Sequence, residues 1–508
     1  MALNLKTDFG AVGDGVTDDR PAFIAASAAL KTAGTGKLVV PTGRYLLSRT
    51  GAGPYYLDWT ASNCDIEFER GARLVAMPNP TVQQVATVRF NMLKGVRLIG
   101  GTIDGNWGAV LGTTDAQDGI NHGTQNDPKS HTTAVRGCEG MDFIGVTFEN
   151  AYGDCAWVGH AADPNTSIVS KNVQFTDCQS NLSARSGIAL AGQCSGIRIR
   201  NCKWRSPFAA ALDFEPTLPV SDVECTDTLL DAWWNVGNPA RQALKTALTI
   251  DTAQGFTERV LIERCQIKST LLVQRARRVR VVHCDIETMW GGTSWAPFVA
   301  RFDCDDITLE RCDLRTNCVG PIVTLPNGQT VVYQDTKNPG RAAIVVDYYA
   351  FGATRRSPRN VNIIGNSVYT SATDIKGMGV HGLAVGGQGE QGGTLRLEGN
   401  TYDVTDSAGH SNGGRGVDLF SEKPGIDVRI RNEVTRNATG PAYRARFSGS
   451  AINAMRHLDI DGVSASDDQT TPTCTAVVGI DSARHYAKAD IGTVTRSESV
   501  PADFVGWP

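Results

Sequence analysis

The stretch Ile197-Arg198-Ile199-Arg200-Asn201-Cys202-Lys203-Trp204 decides the fold. It reads apolar, any, apolar, two polar residues, a small residue, any, apolar. The phrase returns at Val260 to Ile267 around Cys265, at Val279 to Ile286 around Cys284 and at Ile307 to Leu314 around Cys312. Looser copies centre on Gly101, Val146, Cys178, Thr228, Asn366, Asn400 and Val463, with a longer gap before the last. Self-similarity at roughly 20–50 residues marks a stacked repeat. Within a unit, Val279, Val281 and Ile286 alternate with Arg278, Arg280 and His283, and a period of two means strand. A short constant strand with variable spacing predicts a parallel β-helix, whose loops leave at the corners. Helical repeats are excluded because no helical periodicity follows residue 35.

A second family of strands follows each centre at a fixed offset. Ala156-Trp157-Val158-Gly159-His160, Ile188-Ala189-Leu190-Ala191-Gly192 and Leu212-Asp213-Phe214-Glu215-Pro216 align on Val146, Cys178 and Cys202. Leu248 to Thr252 fits after a long loop, and Phe298 to Asp303 and Ile344 to Tyr348 continue the set. First, third and fifth members are expected to face the core, second and fourth to face out.

The 508 residues are 41% hydrophobic and 20% charged, which excludes a disordered chain. A net charge of −4 gives no footprint for nucleic acid. No apolar run reaches the ~18 residues of a membrane span. The N-terminus shows no basic segment followed by an apolar core, so no secretion signal is expected. Among 13 cysteines there is no CxxC pair, which argues against structural zinc. Cys178, Cys202, Cys265, Cys284 and Cys312 share one repeat position and are expected to be a ladder of buried free thiols, folded in a reducing compartment.

Asp8-Phe9-Gly10-Ala11-Val12-Gly13-Asp14-Gly15-Val16-Thr17-Asp18-Asp19 precedes a helical pattern in which Phe23, Ala26 and Leu30 form one apolar face, with Thr17 as expected N-cap. Leu38-Val39-Val40-Pro41-Thr42-Gly43-Arg44-Tyr45 follows. This opening, with Cys64 to Leu74 and Gly101-Thr102-Ile103-Asp104-Gly105-Asn106, resembles the pectate-lyase-like superfamily. The resemblance implies an all-β fold, a right-handed parallel β-helix (solenoid) with a short N-terminal helical cap. It covers residues 5–105. The signature motifs of polygalacturonases and alginate epimerases are absent at matching places; Tyr152 to His160 does not match the latter residue by residue. The chain therefore looks most like phage tailspike polysaccharide depolymerases. That resemblance implies a homotrimer, a possible contact with another tail protein, and residence in a virion tail after folding in the host cytoplasm. The expected organisation is a cap at 1–60, a β-helix with the glycan groove at 61–465, and a C-terminal cap or oligomer contact at 466–508.

Asp213 and Glu215 project from one strand to the same outer face, ~6.6 Å apart along the chain. Asp251 is expected in the column of Glu215. Such carboxylates suit glycoside hydrolysis, one as acid and one as base or nucleophile; the plain alternative is a solvated acidic face. Trp157, Trp233 and Trp234 are candidate platforms for sugar rings, His160 a base or a structural histidine, and Arg301 a ligand for a uronic carboxylate or a neutralising charge. Arg185, Lys203 and Arg205 are alternative bases for a lyase. The predicted activity is glycoside hydrolysis of a bacterial polysaccharide or oligosaccharide, without cofactor or metal. A uronate lyase with Ca²⁺ on the same carboxylates and a non-catalytic glycan adhesin are the alternatives.

Overall fold

In the computed structural model, residues 2–48, 55–77, 86–106, 131–151, 153–162, 167–183, 185–205, 210–215, 218–232, 246–250, 257–289, 296–301, 303–317, 322–324, 330–332, 342–347, 358–370, 381–386, 393–405, 414–421, 426–447, 455–470, 472–480 and 486–506 are described. The chain divides into two units, Met1–Glu258 and Arg259–Pro508. Each is a parallel β-helix of three sheets.

In the first unit the first sheet includes Glu139–Ile144, Ser170–Thr176, Cys194–Arg200 and Val220–Thr226. The second includes Thr147–Ala151, Gln179–Ser183, Lys203–Arg205 and Leu229–Asp231. The third runs Tyr55–Trp59, Ala86–Asn91, His131–Arg136, Ala156–Gly159, Ile188–Ala191, Ala210–Glu215 and Thr246–Ile250. Successive strands pair in parallel, as a coil closing on itself requires. The expected alignment is observed: Ala156 pairs with Ile188, Ile188 with Leu212 and Leu212 with Leu248. In the second unit Phe298 pairs with Ile344, as its pattern predicts.

The repeated phrase now has a physical account. The residue just before the small one turns the corner in the left-handed conformation: Asp177, Asn201, Asp227, Arg264, His283 and Arg311 have φ between 50° and 56°, and Gly365 and Gly399 do the same. Asn, Asp and Gly reach that region at least cost. The small residue then satisfies a carbonyl of the preceding coil. Cys178 Sγ donates to Phe143 O at 3.3 Å, Cys202 Sγ to Phe175 O at 3.4 Å, Asn366 Nδ2 to Leu309 O at 3.0 Å and Asn400 Nδ2 to Ile363 O at 2.8 Å. Asn366 Oδ1 also accepts from Cys312 N–H at 2.9 Å. Cysteine and asparagine are interchangeable here because both offer a short donor to the same buried acceptor. The twelve described cysteines are buried free thiols, and burial pushes Cys138 up to about 11 and Cys194 and Cys304 up to about 12, which makes them poor nucleophiles.

The gap before Val463 holds a coil that the phrase does not find. Val434 pairs with Thr401, so Glu433 occupies the ladder position next to Asn400. Its side chain is 0% exposed and accepts from Asn400 Nδ2. Burial pushes its carboxyl up to about 8. After residue 465 the coil pattern continues through Cys474–Ile480, Tyr486–Ile491, Val494–Arg496 and Phe504–Gly506.

Phe23, Ala26 and Leu30 are buried on the helix Arg20–Ala33, Phe and Leu each contributing about 1.5–3 kcal/mol by burial. Thr17 is not the N-cap. It lies in the strand Asp14–Asp18, and Asp19 is the cap residue. The reason is that the acidic pair ties loops instead of capping the helix through Thr17. Asp19 accepts from Val12 N–H at 2.7 Å and Gly13 N–H at 3.0 Å, and Asp18 accepts from Ser48 N–H at 2.9 Å.

Candidate active site

The outer face of the third sheet in the first unit gathers the polar residues. In register, Ala134, Trp157, Ala189, Asp213 and Thr249 form one column. In the next column Asn91 pairs with Arg136 and Arg136 with Gly159, while Ala191 pairs with Glu215. Trp157 therefore stands in the column of Asp213, two coils away, as the alignment predicts. Inward positions between them are apolar: Val135, Val158, Leu190 and Phe214 are each 0% exposed, so the backbone cannot rotate the outer residues away without exposing the core.

Asp213 is 8% exposed and accepts from Ser186 Oγ at 3.2 Å. The Glu215 side chain is 40% exposed and meets Arg185 Nη2 in an ion pair. The other end of the same guanidinium, Nη1, lies 3.1 Å from Asp154 Oδ2. Asp154 is 0% exposed. Burial pushes its carboxyl up, but the charge of Arg185, His131 and the Ser186 amide at 2.9 Å outweigh burial and hold it below the ordinary carboxylate range. His131 Nδ1 is 3.1 Å from the Asp154 amide and 3.2 Å from its carboxylate. The two roles exclude each other: neutral Nδ1 accepts from the amide, while protonated Nδ1 donates to the carboxylate. The His131 ring stacks on Trp157 with centroids 5.9 Å apart.

Arg185, the alternative lyase base, stands between two of these carboxylates, its guanidinium spanning Asp154 and Glu215. Lys203 and Arg205 lie on the second sheet, where Arg205 is 3.6 Å from Asp231, away from the acid pair's strand. His160 lies beside Arg136, and burial followed by the Arg136 charge lowers its pKa, which keeps the ring neutral. Arg301 follows the strand Phe298–Ala300 of the second unit, its amide bonded to Val273 O at 2.8 Å. Asp251, Trp233 and Trp234 lie outside the described residues. Among the described residues no group of three or more His, Cys, Asp or Glu is arranged to hold a metal ion.

His131, Arg136 and Asp154 are not among the site residues read from the sequence. The signal for Asp154 is its position two residues before Ala156, the same as Ser186 before Ile188. His131 and Arg136 carried no comparable signal.

No family model matches the sequence. Over 44 residues, 9% of this chain, it is 54% identical to mannuronan C5-epimerase AlgE1 of Azotobacter vinelandii, and this stretch is 3% of that protein's length. The match to AlgE3 of the same organism has the same identity and covers 2% of that protein. The A-module of A. vinelandii AlgE6 is similar over 100% of both chains at 13% identity and a TM-score of 0.37. A tailspike protein of E. coli bacteriophage HK620, in complex with pentasaccharide, is similar over 97% of this chain and 78% of its own at 12% identity and a TM-score of 0.45. PfbA, a surface adhesin of Streptococcus pneumoniae, is similar over 99% of this chain and 92% of its own at 13% identity and a TM-score of 0.38. At such identities the likeness concerns the fold alone.

Proposed function

We propose that this protein is a polysaccharide depolymerase of the phage tailspike type, which hydrolyses glycosidic bonds of bacterial surface glycan on the outer face of the third sheet. The observation that carries the reading is the pair Asp213 and Glu215 on one outward strand face, with the Trp157 ring in the same column. Burial favours the protonated form of a carboxyl and a neighbouring guanidinium favours the ionised form. Asp213 and Glu215 share the roles of acid and of base or nucleophile, with Arg185 beside Glu215. Trp157 is the apolar platform against which a sugar ring packs. A homotrimer, docking on another tail protein and a place in the virion tail follow from the tailspike resemblance. Light scattering tests the trimer.

The activity test is incubation of the protein and a Glu215→Gln variant with a panel of bacterial surface polysaccharides, following product size and the absorbance of an unsaturated uronate. Shorter saturated products, slowed roughly 10²–10⁴-fold in the variant, are expected. Unsaturated products would make it a lyase, and binding without shorter products a glycan adhesin.

A further inference from the structure

Arg136 ends the third-sheet strand His131–Arg136 and points outward beside Gly159. Its Nη1 donates to Tyr55 Oη at 3.1 Å and its guanidinium lies 5.7 Å from the Trp157 ring centroid. Among the described residues no carboxylate lies within ion-pair distance of it, and its Nε is buried without a hydrogen-bond partner. The neighbouring arginine on this sheet differs: Arg89 is neutralised by Asp58, with Nε 2.8 Å from Oδ1. His160 Nδ1 is likewise buried without a partner. The Trp157 and His160 rings each pack against a glycine. A Cβ at Gly159 would sit 2.5 Å from Trp157 Cη2, and one at Gly192 would sit 2.2 Å from His160 Nδ1. The column from Arg136 to Glu215 thus passes over Gly159 and Ala191, about 14 Å over three coil spacings. Arg185 closes the Glu215 end already paired with Asp154 and Glu215. Among the described residues of this column, the cation without a carboxylate partner is Arg136.

We propose that Arg136, with Trp157 and His160, forms a subsite for a negatively charged sugar residue of the glycan, three coils from the carboxylate pair. The placement relative to cleavage rests on the hydrolase reading; the binding itself does not. A guanidinium with no carboxylate partner among the described residues, beside an indole, offers its remaining N–H donors to an anionic substituent while the ring face packs on the sugar. The shared chemistry is the anion, carboxylate or sulfate.

The test uses the full chain carrying Glu215→Gln, so that binding is read without turnover. Affinities are measured by titration calorimetry for oligomers of polygalacturonate and polymannuronate, for the same oligomers with their carboxyls reduced to alcohols, and for sulfated dextran. The acidic form of at least one probe is expected to bind more tightly than its neutral counterpart. Arg136→Gln lowers that preference ratio roughly ten- to a hundredfold, as loss of a charge-assisted pair predicts, and Arg136→Lys retains part of it. Tighter binding of sulfated dextran than of the uronates, lost in Arg136→Gln, identifies sulfate as the anion. Binding to none of the anionic probes, or a ratio unchanged in both variants with unaltered thermal unfolding, overturns the proposal. Charge-selective binding by a protein that cleaves nothing sinks the hydrolase reading alone. Cleavage without charge preference sinks the subsite alone.

Discussion

Glu433→Gln should stabilise the protein at neutral pH, by an amount that depends on pH in a defined way. Glu433 is fully buried in the ladder of the second unit, and burial moves its carboxyl from an ordinary 4.5 to about 8. Between those values the folded chain keeps a proton that the unfolded chain has released. Stability therefore falls as pH rises through this window and is flat below and above it. At about 1.4 kcal/mol per pH unit, the total over the window is about 5 kcal/mol, and about 3 kcal/mol is lost by pH 7. Glutamine keeps the oxygen that accepts from Asn400 Nδ2 and cannot ionise. The variant should match the wild type near pH 4.5, exceed it by about 3 kcal/mol at pH 7 and gain no more above pH 8. The assay is denaturant unfolding of both proteins at unit pH steps from 4 to 9. A stability difference independent of pH, or one that shrinks as pH rises, refutes the reasoning.

Two further substitutions test the frame around the site. Asp154→Ala leaves the Ser186 amide without its acceptor and Arg185 with Glu215 but not Asp154, and should cost about 1–3 kcal/mol in denaturant unfolding. Because Asp154 is held below its ordinary range, its contribution is present above the unfolded value near 3.8 and is lost as pH falls through the lower, folded value; an Asp154→Asn variant with unchanged acid unfolding would contradict this. Cys202→Ser should cost no more than about 1 kcal/mol in thermal or denaturant unfolding, because the hydroxyl can donate its one proton to Arg200 O or to Phe175 O, the two acceptors open to the thiol. Thr228 already places a hydroxyl in that column, donating to Thr226 O at 2.8 Å. A loss of several kcal/mol would show that thiol packing, not the hydrogen bond, sets the position.

The amino-acid sequence alone determined the coil. Alternation around Cys202 and its copies specifies strands, and the polar residue before each small one specifies the left-handed corner, because these demands are local to a few neighbouring residues. The register of Ala156, Ile188 and Leu212 was legible for the same reason: a constant offset across a short corner leaves no freedom. The rule failed at Glu433, where a carboxyl stands in place of Cys or Asn. It did not reach His131–Arg136, where Thr133 pairs with Ala156, because no repeated phrase stands at a fixed offset before that strand. The site was legible only as a strand bearing Asp213 and Glu215. Its electrostatics were decided by stacking. Asp154, Arg185 and Glu215 are about 30 residues apart in sequence and meet because each coil returns the chain to the same face one strand spacing on. That return is set by the summed lengths of every loop and strand between them, so only the tertiary structure could say that Arg185 is held between two acids and that Arg136 faces the groove without one.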